Sequence, residues 1–348
     1  MHAAGPLRER EGDTVDSAMT TYPSDSLKRK TAQLIEDWFL AAGRDLPWRT
    51  ALPHSRGCSP WGIMVSEFML QQTPVVRVLP VWEAWMKRWP TPADLAAEPV
   101  SEAVRAWGRL GYPRRAQRLH AAAVAIVEKH DGAVPDTREA LQALPGVGTY
   151  TSAAIAAFAF GRRESVVDTN IRRVHARLFT GSALPAPAFT AAEARLAEQL
   201  LPEDRAESVT WNAAVMELGA LVCTARAPKC EECPVAAECA WLAAGRPEPE
   251  YTPKGQSWHG TDRQVRGAMM AVLREAGAPV PRELFLARPE GWDGDAASVD
   301  LAWGGPDGVF RKLDALHRLQ APADQLERCL AGLLKDRLAT ESDAGVTL

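Results

Sequence analysis

The 348-residue chain has no apolar run approaching the ~18 residues that a membrane-spanning helix needs, which excludes a helical membrane protein. Its first two dozen residues are polar, mixed in charge and without an apolar centre, so they are not expected to act as a secretory signal. Residues 1–23 are read as a disordered tail and the cytoplasm as the compartment. Positive charge is also lacking overall: the formal net charge is −4, so nothing attracts the whole molecule to a polyanion. A nucleic-acid partner would need local positive charge. Two clusters could supply it, Arg105, Arg109, Arg114, Arg115 and Arg118, and then Arg162, Arg163, Arg172, Arg173 and Arg177, although such runs are often only solvated faces. Alternating, β-type segments are scarce as well, which argues against a sheet-based domain.

What is present is apolar spacing at three and four residues. Leu27, Leu34, Ile35, Trp38 and Phe39 mark a first amphipathic helix. Further helices are expected near 61–72, 74–88, 114–130, 149–160, 170–180, 190–200, 207–222 and 234–244. Residues 24–244 then form one helical domain, 245–258 a Pro-, Gly- and charge-rich linker, and 259–348 a small, mainly helical domain, either of winged-helix type or a packing appendage without a ligand of its own. The last rests on two stripes, Val265, Ala268, Met269, Val272 and Leu273, then Leu326, Cys329, Leu330, Leu333 and Leu334. Residues 286–308 between them carry little periodic signal.

Four cysteines, Cys223, Cys230, Cys233 and Cys239, stand in a C-x6-C-x2-C-x5-C array after an apolar helix. A cytosolic chain would keep disulfides reduced, so a metal centre is the better reading. The single C-x2-C unit favours iron–sulfur over zinc, which usually takes two such units. Cys58 and Cys329 are read as isolated structural thiols. Leu144-Pro-Gly-Val-Gly-Thr-Tyr150 falls between helical stretches at 137–143 and 149–160. Gly146 and Gly148 permit a tight turn, and the next helix offers free N–H groups to a phosphate. An ordinary helix–helix turn is the alternative, but the string resembles the helix-hairpin-helix turn of DNA-binding proteins.

Two carboxylates suit cleavage of a glycosidic bond, one as proton donor and one facing the developing positive charge on the sugar. Glu67 lies on a largely apolar helix within Trp61-Gly-Ile-Met-Val-Ser-Glu67-Phe-Met-Leu-Gln-Gln-Thr73. Asp168, in Val-Val-Asp168-Thr-Asn170, precedes a helix some eighteen residues beyond the hairpin. Singly, Glu67 could be a rim residue and Asp168 a plain N-cap. Their joint occurrence with the hairpin and the cysteine loop makes that coincidence a poor account.

In order, Glu67 with Gln71-Gln72-Thr73, the hairpin, Val-Asp168-Thr-Asn170 and the cysteine loop resemble the MutY adenine DNA glycosylases of the endonuclease III superfamily, over roughly residues 27–242. The resemblance implies an all-α, two-lobed fold with double-stranded DNA in the cleft and a 4Fe–4S cluster on Cys223, Cys230, Cys233 and Cys239. It implies a monomeric, cytoplasmic and nucleoid-associated bacterial repair enzyme that removes adenine opposite 8-oxoguanine or guanine. Where bifunctional relatives carry a lysine that attacks the sugar, this chain has Tyr150, whose phenol cannot form a Schiff base, so a monofunctional enzyme is expected.

Carried over position by position, Glu67 protonates the adenine and later activates water, Asp168 stabilises the oxocarbenium-like sugar, and Tyr150 and Asn170 orient them. Arg44, Leu46, Trp48 and Arg49 resemble the family's base-pocket strip, while Gln72 and Tyr112 resemble side chains that wedge into the duplex beside the extruded base. Two departures stand out. Ala213 replaces a Gln or Glu found in many members, and residues 255–348 lack the β-rich pattern of the larger domain that recognises 8-oxoguanine, resembling instead the short tail of actinobacterial relatives at Thr261-Asp-Arg-Gln-Val-Arg-Gly267. Thymine excision from G·T pairs, and a non-catalytic iron–sulfur DNA-binding protein, are the competing readings.

Overall fold

The computed structural model describes residues 23–49, 57–252, 255, 257–289, 292, 303 and 305–348. The N-terminal stretch 1–22 and most of 286–308 therefore lie outside the described residues. No described helix is long and apolar enough to cross a membrane.

One lobe is built from α2 (Pro60–Leu70), α3 (Val75–Arg88), α4 (Pro92–Ala96), α5 (Val100–Trp107), α6 (Arg114–Lys129), α7 (Arg138–Gln142) and α8 (Thr149–Phe160). α2 starts cleanly because Ser59 caps it and Pro60 fits its first turn. It is buried from Trp61 to Met69, which explains its lack of a polar face and makes it the lobe's central rod. Around it Trp85 meets Trp89 and Trp107 edge-on, with ring centroids 4.8 and 5.6 Å apart. The second lobe joins α1 (Asp25–Ala42) to α9 (Thr169–His175), α10 (Ala191–Leu200) and α11 (Arg205–Leu221) through Ile35, Phe39, Val174, Leu196 and Leu218. The chain's first helix thus returns to pack on α11, and the segment after it, Gly43 to Arg49, closes the gap between the lobes.

Of the expected helices, one changes its winding and another is shorter than its apolar spacing suggests. The 170–180 stretch is α9 followed by a π-helical turn, Ala176–Thr180. The 234–244 stretch holds a 3-10 turn, Ala236–Glu238, and only then α12 (Ala240–Ala243). The chain must fold back there to bring four cysteines into one loop, and a straight helix would carry them apart. Conversely, α4 and α5 were not anticipated; each is a single short piece opened by Thr91 or Pro99.

The remainder comprises α13 (Asp262–Glu275), α14 (Glu283–Leu286), α15 (Asp307–His317) and α16 (Ala323–Lys335), followed by a hairpin of β1 (Thr340–Ser342) and β2 (Gly345–Thr347). Val280, between α13 and α14, bridges Val346 of the hairpin, giving the order of a winged helix. Its apolar centre, including Met269, Leu273, Phe285 and Leu330, is continuous with that of the first lobe. The junction is also hydrogen bonded. The Arg105 guanidinium donates to the carbonyls of Arg274 and Ala276 at the end of α13, while Arg274 donates to Val104 O at 3.2 Å. The stretch read as a linker is anchored at Tyr251, whose hydroxyl donates to Pro185 O at 2.8 Å.

Candidate active site

Between the lobes lies a cavity of about 390 Å³ whose wall includes Glu67, Tyr150, Asp168 and Asn170. They arrive from three elements. Glu67 comes from the middle of α2, so its carboxyl leaves a buried rod and is itself only 6 % exposed. Tyr150 stands in the first turn of α8, directly after the hairpin turn. Asp168 is the N-cap of α9, where Oδ1 accepts the Ile171 N–H at 2.7 Å and Oδ2 accepts Asn170 Nδ2–H at 2.8 Å. The plain N-cap reading is therefore true of Asp168 and does not compete with a role in the cavity, because the same carboxylate lines it.

Electrostatics separate the two acids. Burial pushes the Glu67 carboxyl up to about 7, against a lowering hydrogen bond from Tyr150 and a smaller raising influence of Asp168. Asp168 is also raised, first by burial, but the Ile171 and Asn170 hydrogen bonds and the Arg173 charge pull the other way. The Tyr150 phenol is pushed well above its ordinary value, by burial and then by the two carboxylates, so it stays protonated and available as a donor. Burial raises both acids, but only Asp168 has backbone and side-chain donors and an arginine charge opposing it, an asymmetry that suits one acid to protonation and the other to cation stabilisation.

Arg44, Leu46, Trp48 and Arg49 line the same cavity. Sequence reasoning missed the residue that organises them. Glu217 of α11, with a side chain only 2 % exposed, takes Arg44 Nε–H and Nη2–H at 2.7 Å each and Arg49 Nη2–H at 2.6 Å. Burial raises its carboxyl, but the Arg44 hydrogen bonds and the Arg49 charge outweigh that and hold it below the usual glutamate range. Its only signal in the sequence was a lone carboxylate in the apolar run Trp211–Gly219, the same signal that exposed Glu67. Ala213 also lines the cavity, with Met216, Phe158 and Val75, so the wall at that position is small and apolar.

The other sequence candidates lie outside the cavity. Gly146 adopts φ +80°, and a Cβ added there would fall 2.7 Å from Arg118 Cβ, so both conformation and packing require glycine. Gly148 caps α8, with no heavy atom within 4 Å of where its Cβ would stand, so a phosphate could approach the free N–H groups of that turn. Gln72 and Tyr112 are on two neighbouring turns, and both have left-handed backbones, φ 55° and 47°.

Arg109, Arg114 and Arg118 of the first cluster are exposed, but the other clustered arginines are buried or paired with carboxylates. Arg115, Arg173 and Arg177 are buried, and Arg172 is held by Glu193 at 2.8 Å. They serve as internal staples. Arg173 reaches from Asn170 Oδ1 (2.9 Å) to Gly219 O (2.6 Å) and Cys223 O (2.7 Å), tying the α9 N-terminus to the start of the cysteine loop.

All four cysteines are partly buried, and their sulfurs lie within mutual electrostatic reach. Burial and neighbouring thiols push Cys233 up to about 11, a close group of sulfurs that is stable as thiolates only around a cation. Donors are ready for such thiolates: Arg177 Nη1–H lies 3.5 Å from Cys223 Sγ, the Val235 N–H points at Cys233, and the Trp241 and Leu242 N–H groups point at Cys239. Among the described residues no set of side chains already has metal-ligating geometry, so the fit rests on this all-sulfur donor set and its hydrogen bonds.

The family model for the HhH-GPD superfamily of base excision DNA repair proteins matches residues 65–199, and that for the iron–sulfur binding domain of endonuclease III matches residues 223–239. With the cavity and the hairpin, these define a helix-hairpin-helix DNA N-glycosylase of base excision repair that carries a 4Fe–4S cluster. The chain is 44 % identical over 310 residues to an adenine DNA glycosylase of Mycobacterium tuberculosis, covering 88 % of this chain and 90 % of that one. It is 33 % identical over 210 residues to a thymine/uracil-DNA glycosylase of Pyrobaculum aerophilum, covering 60 % and 89 %. A solved thermostable thymine-DNA glycosylase superposes with a TM-score of 0.56 at 29 % identity, over 63 % of this chain and 98 % of that one. The chain belongs to the adenine DNA glycosylase family, and its substrate is DNA.

Proposed function

We propose that the protein is a monofunctional, monomeric glycosylase that releases adenine paired with 8-oxoguanine or guanine in double-stranded DNA. The observation that carries this is the convergence of Glu67, Tyr150 and Asp168 on one cavity, with Glu67 raised to about 7 and no lysine lining it among the described residues. An extruded adenine enters between Leu46 and Trp48 on one side and Val75, Met216 and Ala213 on another, its polar edge toward Arg44, Arg49 and Glu217. Glu67, protonated at neutral pH, gives its proton to the purine as the glycosidic bond lengthens. Asp168, whose carboxylate form accepts the Ile171 N–H at the α9 N-terminus and Asn170 Nδ2–H, faces the cationic sugar. Glu67, now a carboxylate hydrogen bonded to Tyr150, then draws a proton from the attacking water. With no amine to trap the sugar, an intact abasic site is left. The cluster, when bound, neutralises its thiolates and braces the loop that Arg173 joins to Asn170.

Thymine excision is the second reading, favoured by the likeness to the thymine/uracil-DNA glycosylase. Single-turnover excision on duplexes with A·8-oxoguanine, A·G and G·T pairs separates them, with alkali to reveal abasic sites and an alkali-free control for strand cleavage. Adenine release without nicking in the control supports the proposal. Thymine release from G·T in preference to adenine, or nicking without alkali, overturns it.

A further inference from the structure

Arg115 is the most heavily engaged buried side chain outside the cavity. It sits at the start of α6, only 6 % exposed, and points into the first lobe instead of toward solvent. Nη1 donates to the carbonyls of Phe68 (3.1 Å), Met69 (3.2 Å) and Gln71 (2.5 Å). Nη2 donates to Thr73 Oγ1 (3.1 Å), Leu110 O (3.4 Å) and Gly111 O (3.1 Å). One guanidinium thus satisfies the end of α2, where carbonyls have no helical partner, and the turn that leads into α6. Gln71 and Gly111 immediately precede Gln72 and Tyr112, whose left-handed backbones are unfavourable for residues with a side chain. The guanidinium carbon also stands 5.5 Å from the Tyr112 ring centroid and 5.3 Å from that of Trp107.

We propose that Arg115 is a positioning residue that locks the Gln71–Thr73 and Leu110–Tyr112 turns into one wedge, so that Gln72 and Tyr112 enter the duplex together. This rests on the reading of those two side chains as duplex wedges. Extruding a base breaks stacking on both sides at once, and two independently mobile turns would each have to be ordered during insertion. A planar fork with donors in two directions holds both beforehand. Lysine, a point donor on a flexible stem, cannot span the two sets of carbonyls. Arg115 does not itself line the cavity and meets its wall only at Thr73, and it bonds to none of the acids, so its effect should fall on extrusion and leave the chemical step alone.

The test uses cluster-loaded, full-length protein. Gln72→Ala, Tyr112→Ser and their double variant are compared in single-turnover excision of adenine from an A·G duplex. A wedge acting as one unit predicts that the double variant is slowed little more than the worse single one; independent, multiplicative effects overturn the proposal without any change at Arg115. If neither single variant slows excision, the wedge reading itself fails. Arg115→Lys should slow A·G excision about tenfold to a hundredfold, with a matching loss of the fluorescence rise from 2-aminopurine placed beside the adenine. Adenine opposite an abasic-site analogue, already unpaired, should be released within about threefold of the parent rate, and the pH profile should not move. An equal fall on both substrates, or no fall on either, overturns the proposal.

Discussion

Replacing Glu67 by glutamine tests the electrostatics of the cavity apart from its chemistry. Burial is the main reason the carboxyl is raised from 4.5 to about 7. A folded-state value above the unfolded one means that the folded protein binds this proton more tightly. The associated stability is fully present below about pH 4.5 and is lost as pH rises through about 7. The gap corresponds to about 3 kcal/mol, the upper end of what one buried acid can withdraw. Glutamine keeps the shape and has no charge to lose. The stability of Glu67→Gln relative to the parent should therefore grow between pH 5 and pH 8, by roughly 3–5 °C in apparent midpoint.

Tryptophan-fluorescence melts of both proteins at one scan rate, repeated at pH 5, 6, 7 and 8, read the difference directly. A difference that stays flat across that range would refute the argument, because it would mean that Glu67 is ionised in the folded cavity at neutral pH. The catalytic side must agree: the parent's single-turnover rate should decline above about pH 7 as the acid form is lost, and Glu67→Gln should be inactive throughout. Tyr150→Phe, which removes the lowering hydrogen bond, should shift that decline to higher pH.

Asp168→Asn should abolish excision while leaving mismatch affinity within a few-fold, as read by single-turnover assay and gel shift; retained turnover would remove Asp168 from the chemistry. Glu217→Ala strands Arg44 and Arg49 beside the cavity and should destabilise the protein by roughly 3–5 kcal/mol, whereas the smaller loss expected of Glu217→Gln would be visible in the same urea titration. Cys239→Ser should bleach the iron–sulfur absorption and weaken DNA binding; an unchanged visible spectrum would exclude Cys239 as a ligand.

Much of the scaffold was legible because its helices obey simple patterns. α2 and α11 read as helices from their largely apolar composition, and α1, α13 and α16 from one-sided stripes. α4, α5 and α14 escaped because eight residues or fewer do not establish a period. The length of the 234–244 helix was misjudged for a different reason: the residues are helical by spacing, but the loop ending at Cys239 imposes turns that spacing does not encode. The packing of the C-terminal segment on α5 was hidden too, since Arg105 and Arg274 meet across 169 residues.

The same distinction explains which site residues were found. Glu67 and Asp168 were conspicuous locally, one as an acid on an apolar helix and the other ahead of a helix start. Glu217 carried Glu67's signal and was passed over because its partners, Arg44 and Arg49, lie more than 160 residues away. Arg115 was read as one of a run of charges. Yet Arg115, Leu119, Ala122 and Ile126 fall on one buried face of α6, spaced four, three and four residues apart. An arginine in an apolar register has a buried guanidinium and must find acceptors inside the protein. Where those acceptors are the last carbonyls of one helix and the turn before another, the arginine fixes the relation between two loops. The number of charges in a run says nothing about this. The register of each charge does, and it separates Arg115 from Arg114 beside it, which is largely exposed and pairs with Asp336 of the C-terminal segment.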